Sequence, residues 1–158
     1  MVTETDRAQL RRCVTLAREA LEAGDAPFGS VLVDGNGVVK AEDRNRVVSH
    51  DSTYHPEFAL ARWAALNMTE QERADATVYT SGEHCPMCSA AHAWAGLGRI
   101  VYASSGQQLS DWLVELGAAA PPVRLLAVQE IAPHVTVQGP VPEFAQQVRE
   151  LHIQNQAG

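Results

Sequence analysis

Side chains suited to metal-assisted hydrolysis occur in two short segments of the sequence, HPE at 55–57 and HCPMC at 84–88. The candidate residues are His55, Glu57, Cys85 and Cys88. Each segment has a proline where an apolar helical stretch begins, and proline suits the first helical position because its missing N–H needs no partner there. The preceding residue is then the helix cap, and cap and third-position side chains converge. The two thiols can therefore chelate one ion.

The types of these side chains predict a catalytic zinc site. Thiolates combined with an imidazole select zinc, which makes His55, Cys85 and Cys88 the candidate ligands. A structural zinc site normally has a fourth protein ligand, whereas three ligands leave one position open for water and favour catalysis. Glu57 is the carboxylate beside this position. We expect it to take a proton from the water and to deliver protons to a substrate, which contributes on the order of 10²–10⁴ in rate.

Each of these residues also has a structural interpretation when taken alone. His55 could be an ordinary cap, Glu57 an acid that favours a helix start, and the cysteine pair a redox motif or half of a zinc finger. Their joint occurrence in this order favours the catalytic site. The histidines outside the two segments are interpreted as solvated or structural: His50, His92, His134 and His152.

Composition limits the class of protein. The chain has 158 residues, 46% of them hydrophobic, which predicts one domain over 1–158. No apolar run approaches the roughly 18 residues that span a bilayer, and three cysteines are too few for a secreted disulfide scaffold, so we expect a soluble, cytoplasmic protein with reduced thiols. A net charge of −7 repels polyanions and disfavours nucleic acid as a partner.

Hydrophobic patterning predicts an α/β fold that positions these segments. Apolar residues at helical spacing from Leu10 to Leu21 predict a first helix, and FGSVLVDGNGVVKAEDRN predicts two strands around an Asp-Gly-Asn-Gly turn. Further helices are predicted over 55–68, 86–95 and 106–117 and, as a short helix, from Pro142; further strands are predicted over 76–81, 99–104 and 121–128. This alternation implies a sheet with helices on both faces.

The two segments resemble the cytidine deaminase superfamily, whose zinc-dependent base deaminases carry His-x-Glu followed by Pro-Cys-x-x-Cys. Matching stretches are APFGSVLV at 26–33, NR at 45–46, YTSGEHCPMC at 79–88 and GRIVYAS at 98–104. His84 replaces the usual proline before the first cysteine, and Pro56 replaces the more usual alanine. Within the superfamily, the sequence most resembles bacterial guanine deaminases and tRNA adenosine deaminase-like proteins.

The resemblance implies a three-layer α/β/α sandwich around a mixed sheet of about five strands, with zinc as cofactor and a homodimer whose active sites lie near the subunit interface. It places Phe28 beside the substrate, gives Ser30 a backbone contact near the reacting centre, and makes Asn45 a ligand of the base. Trp94 stands six residues beyond Cys88, as in bacterial guanine deaminases.

The tail over 106–158 matches no pattern of the superfamily, and we predict that it forms a substrate lid. Guanine presents an N1–H donor, for which a pocket carboxylate is a suitable acceptor. Asp111 is the candidate acceptor, with Trp112 covering the ring. Alternatively, Asp111 belongs to an ordinary solvated helix.

The predicted function is hydrolytic deamination of a small nucleobase or nucleoside, with release of ammonia and with guanine or a related purine favoured. The open alternatives are a cytosine or cytidine deaminase, a tRNA adenosine deaminase and a noncatalytic zinc module. The presence of Glu57 argues against the module. A tRNA enzyme needs positive surface, yet from Gly106 onward Arg124 and Arg149 are the only basic residues against five acidic ones.

Overall fold

The computed structural model describes all 158 residues and contains one five-stranded sheet. The strands are β1 (Gly29–Val33), β2 (Val39–Arg44), β3 (Thr77–Gly82), β4 (Arg99–Ser104) and β5 (Val137–Gln138). Their order is β2-β1-β3-β4-β5. β1 is antiparallel to β2 and β3, whereas β3, β4 and β5 are parallel. The predicted mixed sheet of about five strands is therefore confirmed.

Seven helices surround the sheet, and none combines the length and apolar character needed to cross a bilayer. They are α1 (Glu4–Glu22), α2 (Pro56–Asn67), α3 (Glu70–Asp75), α4 (Pro86–Trp94), α5 (Gly106–Glu115), α6 (Val128–Ile131) and α7 (Pro142–Ala157). α1 starts with a capping box in which Thr3 accepts from the Asp6 N–H and the Asp6 carboxylate accepts from the Thr3 N–H.

Alternating side chains of the strands divide the core into two layers. Val31 and Val33 of β1 pack with α1, α5 and α7 on one face of the sheet. Leu32, between them, faces the opposite side and packs with α2 and the region after α4. Because both faces are covered by helices, the structure is the three-layer α/β/α sandwich that the sequence predicts.

The prediction of a strand over 121–128 is wrong. Residues 118–127 are irregular, and α6 starts at Val128. Pro121 and Pro122 lack the N–H that a strand ladder requires, and the short β5 instead takes the sheet edge beside β4. The final helix is also longer than predicted, with 16 residues.

Candidate metal centre and active site

The candidate metal ligands lie at the starts of two neighbouring helices. His55 and Cys85 are the caps of α2 and α4, and each is followed by proline in the first turn. Neither side chain makes a capping hydrogen bond at its helix start, so both remain available to a metal. With Cys88, the third residue of α4, they bring one nitrogen and two sulfur atoms within 4.8 Å of one another. The convergence expected from the helix caps is present.

The distances between these atoms fit one tetrahedral zinc ion. Nδ1 of His55 lies 3.5 Å from Sγ of Cys85 and 3.5 Å from Sγ of Cys88. Ligands at Zn–S of about 2.3 Å and Zn–N of about 2.0–2.1 Å subtend an N···S separation of about 3.6 Å at a tetrahedral centre. No fourth metal-ligating side chain joins the cluster. The donor set therefore fits zinc and leaves one coordination position for a non-protein ligand.

The pKa values of the two thiols shift in opposite directions because the thiols are hydrogen-bonded to each other. A hydrogen bond from the Cys88 thiol, together with His55, lowers the pKa of Cys85 to about 4. The same bond and burial raise the pKa of Cys88. The pKa of His55 is raised, chiefly by its contact with Cys85. Because metal ligands must be deprotonated, binding of a cation displaces the remaining proton.

Glu57 is held beside the metal ligands by two hydroxyl groups. Its Oε1 accepts hydrogen bonds at 3.1 Å from the Ser30 hydroxyl and at 3.0 Å from the Thr80 hydroxyl, both on buried strands. The carboxylate is 6% exposed, and burial raises its pKa. A raised pKa brings a carboxyl group closer to the range in which it can both take up and release a proton.

Ser30 lies beneath the cavity wall rather than in it. Its backbone lies in β1, which pairs with strands on both sides, and it does not line the cavity above the metal ligands. Its fully buried side chain instead orients Glu57. The structure therefore shows a contact between Ser30 and Glu57, and the predicted substrate contact stays a prediction.

A cavity of about 280 Å³ opens above Glu57 and the metal ligands. Phe28 and Asn45, two of the predicted substrate residues, lie in its wall. Leucines of α5 and of the segment 118–127 form much of the remaining apolar surface: Leu109, Leu113, Leu125 and Leu126. At the small end of ligand sites, such a cavity has room for one heterocycle rather than a polymer.

Asn45 is oriented by its own loop. Its Oδ1 accepts the N–H of Val47 at 2.9 Å, which leaves the Nδ2 hydrogens as donors for a ligand. The loop is in turn fixed by buried Asp25, which accepts the N–H groups of Val48 and Ser49, each at 2.9 Å. Asn45 thus presents an amide donor from a rigid support.

Three predicted substrate residues do not line the cavity, and their contacts with a substrate stay predictions. Trp94 is 91% exposed at the end of α4. Asp111 accepts from Gln107 at 2.9 Å on the exposed face of α5, and Trp112 packs into the core beside α1 and α7. The helical period explains this outcome: the cavity-facing positions of α5 are Leu109 and Leu113, so the residues between them point elsewhere.

Two cavity residues escaped the sequence analysis. Glu83 accepts the N–H of Gly106 on one carboxylate oxygen and that of Val128 on the other, each at 2.9 Å, and so anchors the starts of α5 and α6. His152, interpreted from sequence as solvated or structural, is buried in the wall. Its position next to Leu151, on the apolar stripe of α7, was the sequence feature that could have indicated its burial.

Comparison with known proteins places this site in a recognised sequence region. Residues 3–104 match the cytidine and deoxycytidylate deaminase zinc-binding region. The match includes both helix starts and Glu57 and ends where the divergent tail begins.

Individual proteins show the same similarity. A probable cytosine deaminase from Schizosaccharomyces pombe is 33% identical over 76% of this chain and 73% of its own length. A guanine deaminase from Bacillus subtilis is 38% identical over 60% of this chain and 62% of its own length. The solved guanine deaminase from Nitrosomonas europaea superimposes with a TM-score of 0.73 at 22% identity, covering 100% of this chain and 87% of that one. At this identity, the structural likeness shows a shared fold.

Proposed function

Because the chain belongs to the cytidine and deoxycytidylate deaminase zinc-binding family, we propose that it removes an exocyclic amine from a small nucleobase or nucleoside by hydrolysis, with guanine or a related purine as substrate. The observation that carries the proposal is a buried carboxylate, Glu57, at the base of a heterocycle-sized cavity and beside a three-ligand metal site. A noncatalytic zinc module has no need of this carboxylate.

The proposed reaction divides the work between the metal and the chain. Zinc held by His55, Cys85 and Cys88 supplies activation of water at neutral pH. Glu57 accepts a proton from the attacking water and passes protons to a ring nitrogen and to the departing amine. The water oxygen bonds to the amine-bearing carbon, the C–N bond breaks and ammonia leaves. Ser30 and Thr80 keep the Glu57 carboxylate in place for both transfers.

The cavity wall supports a planar heterocycle as ligand. Apolar side chains, including Phe28 and Leu113, can lie against the faces of a ring, while Asn45 donates to an acceptor on its edge. The tail contributes to this wall through α5 and the segment 118–127, which supports its proposed role as a substrate lid within a single domain. The ring nitrogens and carbonyl of guanine provide suitable acceptors for Asn45.

Charge supports a free base or nucleoside over a polynucleotide. The net charge is −7, and in the tail Arg149 is already paired with Glu115. Relatives named guanine deaminase favour guanine, whereas the relative named probable cytosine deaminase makes cytosine the second candidate.

Ammonia release from a panel of substrates tests the proposed substrate. With zinc-loaded protein, we expect turnover of guanine or guanosine that exceeds the turnover of cytosine, cytidine and adenine. The same panel with Glu57→Gln protein controls for contaminating deaminases. Rapid turnover of cytosine or of an anticodon stem-loop, without turnover of guanine or guanosine, would refute the purine assignment and leave the zinc chemistry in place.

We further propose that the chain forms a homodimer in the cytoplasm. Trp94 is 91% and Leu66 is 77% exposed, and they lie on α4 and α2, which pack against each other. Large exposed apolar side chains on adjacent helices favour burial against another chain. Light scattering should give twice the chain mass of 17.1 kDa, and Trp94→Asp with Leu66→Asp should reduce it to the mass of one chain. A monomeric wild-type protein would contradict the proposal.

A further inference from the structure

His152 on α7 is held between two aromatic rings at the cavity wall. Its ring centroid lies 5.1 Å from that of Phe28, at an interplanar angle of 65°, and 6.0 Å from that of Trp112. The side chain is 3% exposed, and the surface that it retains borders the cavity. Since both neighbours pack closely, the orientation of the imidazole is fixed before a ligand arrives.

The ring nitrogens of His152 have no partner in the protein. Burial lowers the pKa of His152 to about 4, and no hydrogen bond opposes this shift. Both nitrogens of His84 are sealed in the interior, whereas those of His152 are not. The imidazole is therefore neutral near pH 7 and offers one donor and one acceptor to the cavity. Buried polar groups in native proteins are normally hydrogen-bonded, so an unpaired one facing a cavity indicates a ligand.

Three other polar side chains of the wall are already engaged. Both carboxylate oxygens of Glu83 accept backbone N–H groups. Oδ1 of Asn45 accepts from Val47, and Oε1 of Glu57 accepts from two hydroxyls. His152, by contrast, is a buried wall side chain with a ring nitrogen that borders the cavity and is free to accept a hydrogen bond from a substrate.

Two further side chains extend this surface along α7. Asn155 and Gln156 follow His152 at helical spacings of three and four residues, and all three line the cavity. Gln156 is exposed and Asn155 is half-buried, so polarity increases from His152 toward the mouth. One face of the C-terminal helix is therefore polar where it meets the ligand space.

We propose that His152 is a substrate-binding residue that determines specificity, because its neutral imidazole hydrogen-bonds the edge of the bound base. This inference rests on the proposed function and assigns to His152 the recognition role that the sequence analysis gave to Asp111. The substrate class is a neutral heterocycle with a ring N–H or carbonyl on the edge that faces α7. An imidazole can pair with either group, whereas a carboxylate can only accept.

Three substitutions test the role of His152 in the zinc-loaded full-length enzyme. His152→Phe keeps an aromatic ring between Phe28 and Trp112 but removes both nitrogens. We expect the KM for guanine to rise about tenfold, with kcat changed less than about twofold, because a binding contact rather than a proton-transfer group is lost. His152→Asn and His152→Gln place an amide near one or the other ring nitrogen, and one of them should restore part of the affinity.

The matched control is Gln154→Ala, which changes an exposed residue of α7 outside the cavity wall and should leave KM unchanged. An unchanged KM in folded His152→Phe protein, with active wild type, would overturn the inference alone. A lower kcat at constant KM, or failure of both amides to restore affinity, would also overturn it. If the wild type releases ammonia from none of the bases, the proposed function fails and the inference falls with it.

Discussion

Glu57→Gln is expected to keep the fold and the full zinc content while lowering turnover by at least about a hundredfold. The amide has the same shape, and its oxygen can still accept the hydrogen bonds that Ser30 and Thr80 donate to Oε1. It cannot take up and release the proton. The measurements are kcat for ammonia release, zinc per chain by metal analysis and the thermal unfolding midpoint.

The control for this variant is Glu70→Gln. Glu70 is also a first-turn helical acid but is exposed at the start of α3, away from the cavity. It should leave turnover unchanged, which separates the loss of a first-turn charge from the loss of the proton carrier. Near-normal turnover in zinc-loaded Glu57→Gln protein would remove Glu57 from the proposed role.

Loss of any one metal ligand is expected to abolish both zinc binding and activity. Wild-type protein should contain about one zinc per chain, whereas His55→Ala, Cys85→Ser and Cys88→Ser should each contain almost none. Each substitution leaves two protein ligands for the zinc. The fourth coordination position cannot supply a third protein ligand, because it is assigned to water. Metal analysis after dialysis and the rate of ammonia release provide the two measurements.

Cys13 provides the matched control for the ligand variants. It is a free, fully buried cysteine on α1 and lies outside the metal cluster. Cys13→Ala should therefore retain zinc even if it unfolds at a lower temperature. Full zinc occupancy in all three ligand variants would disprove the assigned metal centre.

The chemistry at the base of the site is encoded locally in the sequence. A proline at the first helical position fixes the cap residue before it, so HPE and HCPMC predict that His55, Cys85 and Cys88 present their side chains at helix starts. The donor types then indicate zinc, and Glu57 is the residue that we propose as the proton carrier. Short runs rich in apolar and β-branched residues likewise predict β1, β3 and β4. Such runs are typical of strands that are buried on both faces of a sheet.

The tail shows where local patterning stops being sufficient. The apolar periodicity of α5 predicts a helix, but its rotation about its own axis is set by packing against α7 and the sheet. That rotation directs Leu109 and Leu113, rather than Asp111, toward the cavity. The irregular segment 118–127 lies over the same cavity, and β5 rather than this segment pairs with β4 at the sheet edge.

The sequence by itself predicted the metal-ligand cluster and the α/β class, because these depend on residue types at helix starts and on the alternation of helices and strands along the chain. It also led to the proposal that Glu57 carries protons. Only the tertiary structure decided which side chains line the cavity. His152 approaches Phe28 across more than a hundred residues of chain because α7 packs back against α1 and β4. An apolar stripe requires a helix face to be buried, but it does not specify the partner that buries it.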